Sequence, residues 1–219
     1  VSDRFVEGMR SLERVDRLES APEGLWEQVR ARPDRAPELI ALAAAERLAP
    51  TAERWAAEHA GTPPAELGRK AVKTHVRLSR VEGAAAGLAG AWGIVPDLAA
   101  LAWLQSRMVF HVAAAYGFDP RHPMRPAELL ALQGLYPTAQ EAREALDGVG
   151  RHVAIALAEG KLRGGDGALR KRLMKMVGER VASRAAAKVI PGVASPIMAV
   201  QNSNAVGELG EKALRFYGG

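Results

Sequence analysis

The chain has 219 residues, a net charge of +5, 48% hydrophobic and 25% charged residues, and no cysteine. That composition excludes wholesale disorder, a disulfide scaffold and thiolate metal sites, and the length suits one domain of ordinary size. Aromatic residues are only 5% while alanine and leucine dominate, so the chain predicts helices packed closely through small side chains rather than a sheet.

The first twenty residues lack the basic-then-apolar order of a secretory leader. Phe5, Met9, Leu12 and Val15 recur at three and four residues, which predicts an amphipathic helix ending near Ser20. Pro22 and Pro33 bracket a short helical segment with Leu25, Trp26 and Val29 on one side. Pro37 to Leu48 predicts a helix ended by Pro50, with Thr51 capping a further helix through Trp55 to His59. Thr62-Pro63-Pro64 is another start signal, because proline is tolerated in a first turn, where its missing N–H breaks no bond. That helix runs towards Arg80 and exposes Arg69, Lys70, Lys73 and Arg77.

From Gly83 to Leu104, Asp97 is the one charged residue. Pro96 divides the run into two segments of roughly a dozen residues, each too short to span a bilayer core of about 30 Å. A central buried hairpin is therefore expected, with Gly83, Gly87, Gly90 and Gly93 forming an edge for close approach to a neighbour. Asp97 fits the cap or first turn of the second helix, where a carboxylate meets orphan amides and the positive dipole end. Leu104, Arg107 and His111 share a stripe with Asp97 within about 80° at the helical period. The stripe suits either a head-group or carboxylate grip, or a capping aspartate with a structurally paired arginine.

Gly117 suits the left-handed position after a helix, and Asp119 to Arg125 reads as a loop. Pro126 begins a helix to about Tyr136, Thr138 with Glu141 forms a capping-box pattern, and Gly164 to Gly167 is a hinge-like turn. Lys161 to Lys188 then carries nine basic residues against Asp166 and Glu179, more than the whole chain's excess. Within it, Lys171, Arg172 and Lys175 share one side of an ideal helix with Arg170 preceding them. Arg180, Arg184 and Lys188 fall on the other side unless Gly178 rephases the helix. Pro191 to Pro196 interrupts the chain, and the last helix repeats Asn202, Ala205, Leu209, Ala213 and Phe216 towards Tyr217.

Two blocks resemble the EcsC family of bacterial proteins. One comprises the small-residue run Gly83 to Gly93, Asp97-Leu98, Gln105-Ser106-Arg107 and Tyr116-Gly117-Phe118-Asp119. The other is Val189-Ile190-Pro191-Gly192-Val193 followed by Asn202. The resemblance covers about residues 70–217 and supports one all-α domain, with residues 1–61 as a helical extension of a core over 62–219. It draws interest to Asp97, Arg107, Tyr116, Asp119 and Asn202. The family's founding member is encoded beside an ABC transporter, which makes such a transporter an expected partner.

Catalytic signals are sparse. Ser195 lies between Ala194 and Pro196 rather than in a Gly-x-Ser-x-Gly elbow, and the five histidines show no metal-binding spacing. No metal or cofactor is expected. The sequence favours a non-enzymatic protein, cytoplasmic and peripheral at the inner membrane face, that binds a phospholipid or fatty-acid-like ligand. Its ligand residues would be Asp97, Leu104, Arg107, His111, Tyr116, Asp119 and Asn202, and its basic segment would meet an anionic membrane surface. Nucleic acid is not expected, because the basic run has no interleaved aromatics. The alternative is a hydrolase of lipid-like substrates using Asp97, His111 or Asp119 as acid–base groups.

Overall fold

A computed structural model describes residues 21–22, 24–88, 94–148, 166–177 and 194–219, and the expected helix ending near Ser20 lies outside them. Every regular element among these residues is helical. In chain order they are α1 (Leu25–Ala31), a 3₁₀ turn (Pro33–Arg35), α2 (Ala36–Glu58), α3 (Pro64–Leu88), α4 (Ile94–Ala115) and α5 (Arg125–Leu132). These are followed by α6 (139–148), α7 (Asp166–Val177) and α8 (Ala194–Gly218).

The fold is organised around α4. Leu98, Leu101, Ala102, Leu104, Met108, Val109, Phe110, Val112 and Ala113 are all buried, and they point in every direction around the helix. A helix that is apolar all round must be covered all round. α2, α3, α7 and α8 pack against it, with a smaller contribution from α5. Pro96 sits in its first turn, where its missing N–H breaks no intrahelical bond, and residues 89–93 before it lie outside those described. The other end is closed by a Schellman motif. Gly117 has φ +81°, its N–H reaches the Ala114 carbonyl at 3.0 Å, and the Phe118 N–H reaches Ala113 at 3.1 Å.

α2 differs from expectation: it is one helix through Pro50 rather than two separated by it. Thr51 caps nothing, and its hydroxyl instead donates to the Leu48 carbonyl at 2.8 Å. Ile40, Ala44, Leu48 and Ala52 lie on both sides of the proline and are fully buried. Packing of that continuous face offsets the hydrogen bond that Pro50 cannot donate. Residues 25–58, read as an extension, share one core with the rest. α5 is also shorter than expected. It stops at Leu132 because Gly134, at φ +71°, supports a second Schellman closure with Leu135 N–H bonded to Leu130. Thr138 does cap α6, its Oγ1 accepting the Glu141 N–H at 3.1 Å.

α3 and α8 run antiparallel and very close. Gly68 faces Leu214, Val72 faces Gly210, and Val76 faces Gly207. The buried stripe of α8 is Ser203, Val206, Leu209, Gly210, Ala213 and Tyr217, so Phe216, which the repeat set in line with Leu209 and Ala213, is instead 52% exposed. Of the expected glycine edge, Gly90 and Gly93 lie outside the described residues; the close approach of α3 to α8 is made at Gly68 and Gly210. Outward, α3 exposes Arg69, Lys70, Lys73 and Arg77 as expected.

This geometry predicts opposite effects for two neighbouring substitutions. A Cβ at Gly210 would lie 2.6 Å from Cγ1 and 2.9 Å from Cγ2 of Val72, and a β-branched side chain has little freedom to move. Gly210→Ala should lose about 1–3 kcal/mol to overpacking, more than the roughly 1 kcal/mol that alanine returns in helix propensity. A Cβ at Gly207 meets Val76 at an ordinary 3.8 Å, so Gly207→Ala should be stabilising by up to about 1 kcal/mol. Denaturation midpoints moving the same way for both would contradict the α3–α8 register.

Candidate functional site

The polar stripe of α4 meets a partner that its own sequence does not reveal. His111 is buried, and its ring centroid lies 5.2 Å from that of His75 on α3, which is also buried. On its other flank His111 meets the edge of Trp55 of α2 at 5.1 Å, and Trp55 in turn meets His59 at 5.0 Å. Three helices thus contribute one row of rings. The Arg107 guanidinium acts on both buried imidazoles, and Arg107 itself is only half-buried. The cluster therefore borders solvent on the arginine side.

Hydrogen bonding fixes the tautomers. Nδ1 of His75 is 2.8 Å from the Ala71 carbonyl, and Nδ1 of His111 is 2.8 Å from the Arg107 carbonyl. A carbonyl only accepts, so each Nδ1 carries the proton and each Nε2 is a bare acceptor. In His75 that Nε2 is buried and meets no donor among the described residues. Burial drives both imidazoles towards the neutral form. His111 is pushed down to about 4, and Arg107 adds to the depression against the opposing bond to its own carbonyl. His75 is held well below its ordinary value by burial, then by His111 and Arg107.

Neighbouring hydroxyls are already committed. Ser106 donates to the Ala102 carbonyl and Ser79 to the Val76 carbonyl, each at 2.8 Å. Neither is presented to an imidazole as a nucleophile, which is the arrangement acyl transfer requires. Among the described residues no group of three or more His, Cys, Asp or Glu is placed to hold a metal ion. The cluster sets the positive field of Arg107 beside two neutral imidazoles and the edge of Trp55.

Of the seven residues read as ligand-binding, the structure brings Arg107 and His111 together, with Leu104 packed one turn earlier in the core. Asp97 lies in the first turn of α4 and Asn202 on α8. Tyr116 and Asp119 stand at the far end of α4. The Tyr116 ring wedges between α3 and α8, where a Cβ on Gly68 would come within 2.8 Å of it and one on Gly218 within 3.1 Å of its hydroxyl. Asp119 is exposed and shapes a turn, its Oδ1 accepting the Arg121 N–H at 2.8 Å. In the basic segment, Lys171, Arg172 and Lys175 are exposed on α7, and Arg170 lies on the same helix. Arg180, Arg184 and Lys188 lie outside the described residues.

Two further polar clusters escaped the sequence reading. Arg125, nearly buried, pairs with Glu128 one turn along and lies over the Phe118 and Tyr217 rings at 5.2 and 5.6 Å. The Tyr217 hydroxyl donates to Glu128 Oε2 at 2.7 Å, and burial with the carboxylate beside it holds that phenol protonated. The Tyr136 hydroxyl donates to buried Glu38 and is pushed up to about 12, by burial first and then by that carboxylate. Both clusters tie helices together: α5 to α8, and α2 to the segment after α5. The i,i+3 spacing of Arg125 and Glu128 was a legible signal, but their tyrosine partner was not.

The EcsC protein family model matches residues 42–218, most of the chain. The chain belongs to the EcsC protein family. No curated protein and no solved structure matches it. The family match begins inside α2, so it takes in Trp55, His75, Arg107 and His111 together.

The buried imidazoles should make this EcsC protein acid-sensitive. His111 binds its proton less readily when folded, at about 4, than when unfolded, at about 6.5, so between those values the unfolded chain holds more protons. Stability should be intact above about pH 6.5 and lost progressively as pH falls towards 4, by a few kcal/mol. His75 adds in the same direction. Denaturant melts across that window should show the slope in wild type and a shallower one in His111→Phe. An unchanged slope in the variant would place the acid sensitivity elsewhere.

Proposed function

We propose that this EcsC-family protein is a non-enzymatic lipid-binding protein that works at an anionic membrane surface. The observation that carries the reading is the two-sidedness of α7. Its inner face, Leu173, Met176 and Val177, is buried in the core, while Lys171, Arg172 and Lys175 are exposed. Among the described residues those three cations enter no ion pair, and no acidic residue occurs from Gly167 to Val177. Arg121 and Arg143, by contrast, are paired with Glu53 and Asp147. A cationic face clamped to a rigid core presents its charges together, which favours a surface of many anionic head groups. Contact of this kind is peripheral, and among the described residues no helix is long and apolar enough to cross a membrane.

Adhesion to vesicles containing an anionic phospholipid should weaken with salt and be marginal on neutral vesicles. Changing Arg170, Lys171, Arg172 and Lys175 to glutamine should remove about 1 kcal/mol each, roughly a thousandfold together. Because Lys171, Arg172 and Lys175 point away from the core, the melting temperature should hold. Equal binding to neutral and anionic vesicles, or indifference to the four substitutions, would count against the reading.

A further inference from the structure

We propose that the outward face of α3 is a second contact for anionic membrane, turned away from α7, so that one molecule bridges two bilayers. The inference rests on the membrane-surface function proposed above and adds to it an activity, the tethering of one anionic membrane to another.

α3 carries a stripe that the rest of the fold does not use. Arg69, Lys70, Lys73 and Arg77 fall within about 100° of one another at the helical period, and all four are exposed. They cover a rise of about 12 Å, on the side opposite buried Leu67, Ala71, His75 and Ser79. Among the described residues none of the four enters an ion pair. α8, packed alongside, adds exposed Glu208, Glu211, Lys212 and Arg215, which together carry no net charge. Exposed Glu66, one turn before the stripe, takes away a single charge and leaves the face cationic. With acids at its margins, this face is weaker than that of α7.

The two cationic faces look different ways. α3 lies along α4, from Gly68 beside Tyr116 to His75 beside His111. α7 packs on α4, α2, α1 and the 3₁₀ turn, and α2 stands between the two, with Trp55 against His111. Helices about 10 Å across that touch around a common axis stand about 60° apart, so two with a third between them stand about 120° apart. Each turns its charges away from α4. A flat bilayer against α7 therefore leaves the α3 stripe facing away from it.

The composition of the stripe decides the partner. A specific protein contact asks for an apolar or aromatic anchor at its centre. The exposed large apolar side chains among the described residues, Leu42, Phe118 and Phe216, all lie off α3. Exposed cations without an anchor suit repeated negative head groups. Many molecules on one vesicle act together, so a face weaker than α7 suffices to hold a second vesicle.

Light scattering from phosphatidylcholine vesicles, with and without phosphatidylglycerol, tests this beside a sedimentation assay of adhesion. Expected is adhesion with clustering of the anionic vesicles at low salt, and dispersal at high salt. Changing Arg69, Lys70, Lys73 and Arg77 to glutamine should raise the protein concentration needed for half-maximal clustering roughly tenfold or more, while adhesion and melting temperature hold. The four-fold glutamine variant of α7, left with the weaker face alone, should lose both adhesion and clustering. Glu66→Gln with Glu211→Gln should lower the clustering concentration, and a rise or no change would contradict an electrostatic contact at this face. Absence of adhesion to anionic vesicles removes the surface function and the tethering together. Adhesion without clustering overturns the tethering alone and leaves the α3 stripe to an acidic protein. Clustering undiminished by the four α3 substitutions overturns it as well, and points to self-association of the protein. Loss of adhesion in step with clustering in that variant also overturns it, because both faces then serve one surface.

Discussion

Covering α4 on every side is the requirement from which the rest of the architecture follows. Its apolar side chains radiate in all directions, so no single neighbouring helix can bury them. At about 25 cal/mol per Å² of apolar area removed from water, leaving one flank open would forfeit several kcal/mol, comparable to the stability of a whole domain. α2, α3, α7 and α8 therefore surround it. The demand also explains the glycines of α8: the helices around a common axis must approach one another closely, and Gly207 and Gly210 let α8 press against Val72 and Val76. It explains α2 as well, where burial along one unbroken face holds Pro50 in mid-helix.

An interior built this way is hostile to charge, and the polar residues on α4 show how each is accommodated. Ser106 and His111 return their protons to carbonyls one turn back, and Gln105 faces Gln133 at 3.4 Å. The two histidines stay neutral because burial, with Arg107 beside them, makes the imidazolium too costly. The same neutrality leaves an acceptor on each ring.

Much of this was legible from the chain. The part of the uncharged run that lies in α4, the proline-rich starts of α3 and α5, the left-handed glycine at 117 and the cap at Thr138 each depend on a few adjacent residues, and each appears in the structure. What failed depends on distant partners. Phe216 and Tyr217 are both aromatic and adjacent, and it is Tyr217 that falls in the buried stripe of α8 and meets Arg125 and Glu128, almost ninety residues earlier. His75 sits on the same face as Leu67, Ala71 and Ser79, so its burial could have been read from the helical period. Its meeting with His111 could not, because that depends on the α3–α4 crossing. The stripe on α4 was visible, but the other half of the site lies on a different helix.

Charge is distributed along the same lines. Around α5 and α6 the cations are matched to acids: Arg125 to Glu128, Arg121 to Glu53, Arg143 to Asp147. The exposed pairs among these, Arg121–Glu53 and Arg143–Asp147, contribute at most about 1 kcal/mol each, so their effect is less on stability than on neutralising that side of the molecule. On α7, by contrast, Lys171, Arg172 and Lys175 follow one another with no acid between them. Clustering like charges on one short helix raises its self-repulsion, and α7 holds together because Leu173, Met176 and Val177 anchor it to α4. A helix that needs tertiary anchoring to keep its charges adjacent gains from any surface that supplies the missing negative charge. Such a surface would neutralise α7 without altering the core that holds it.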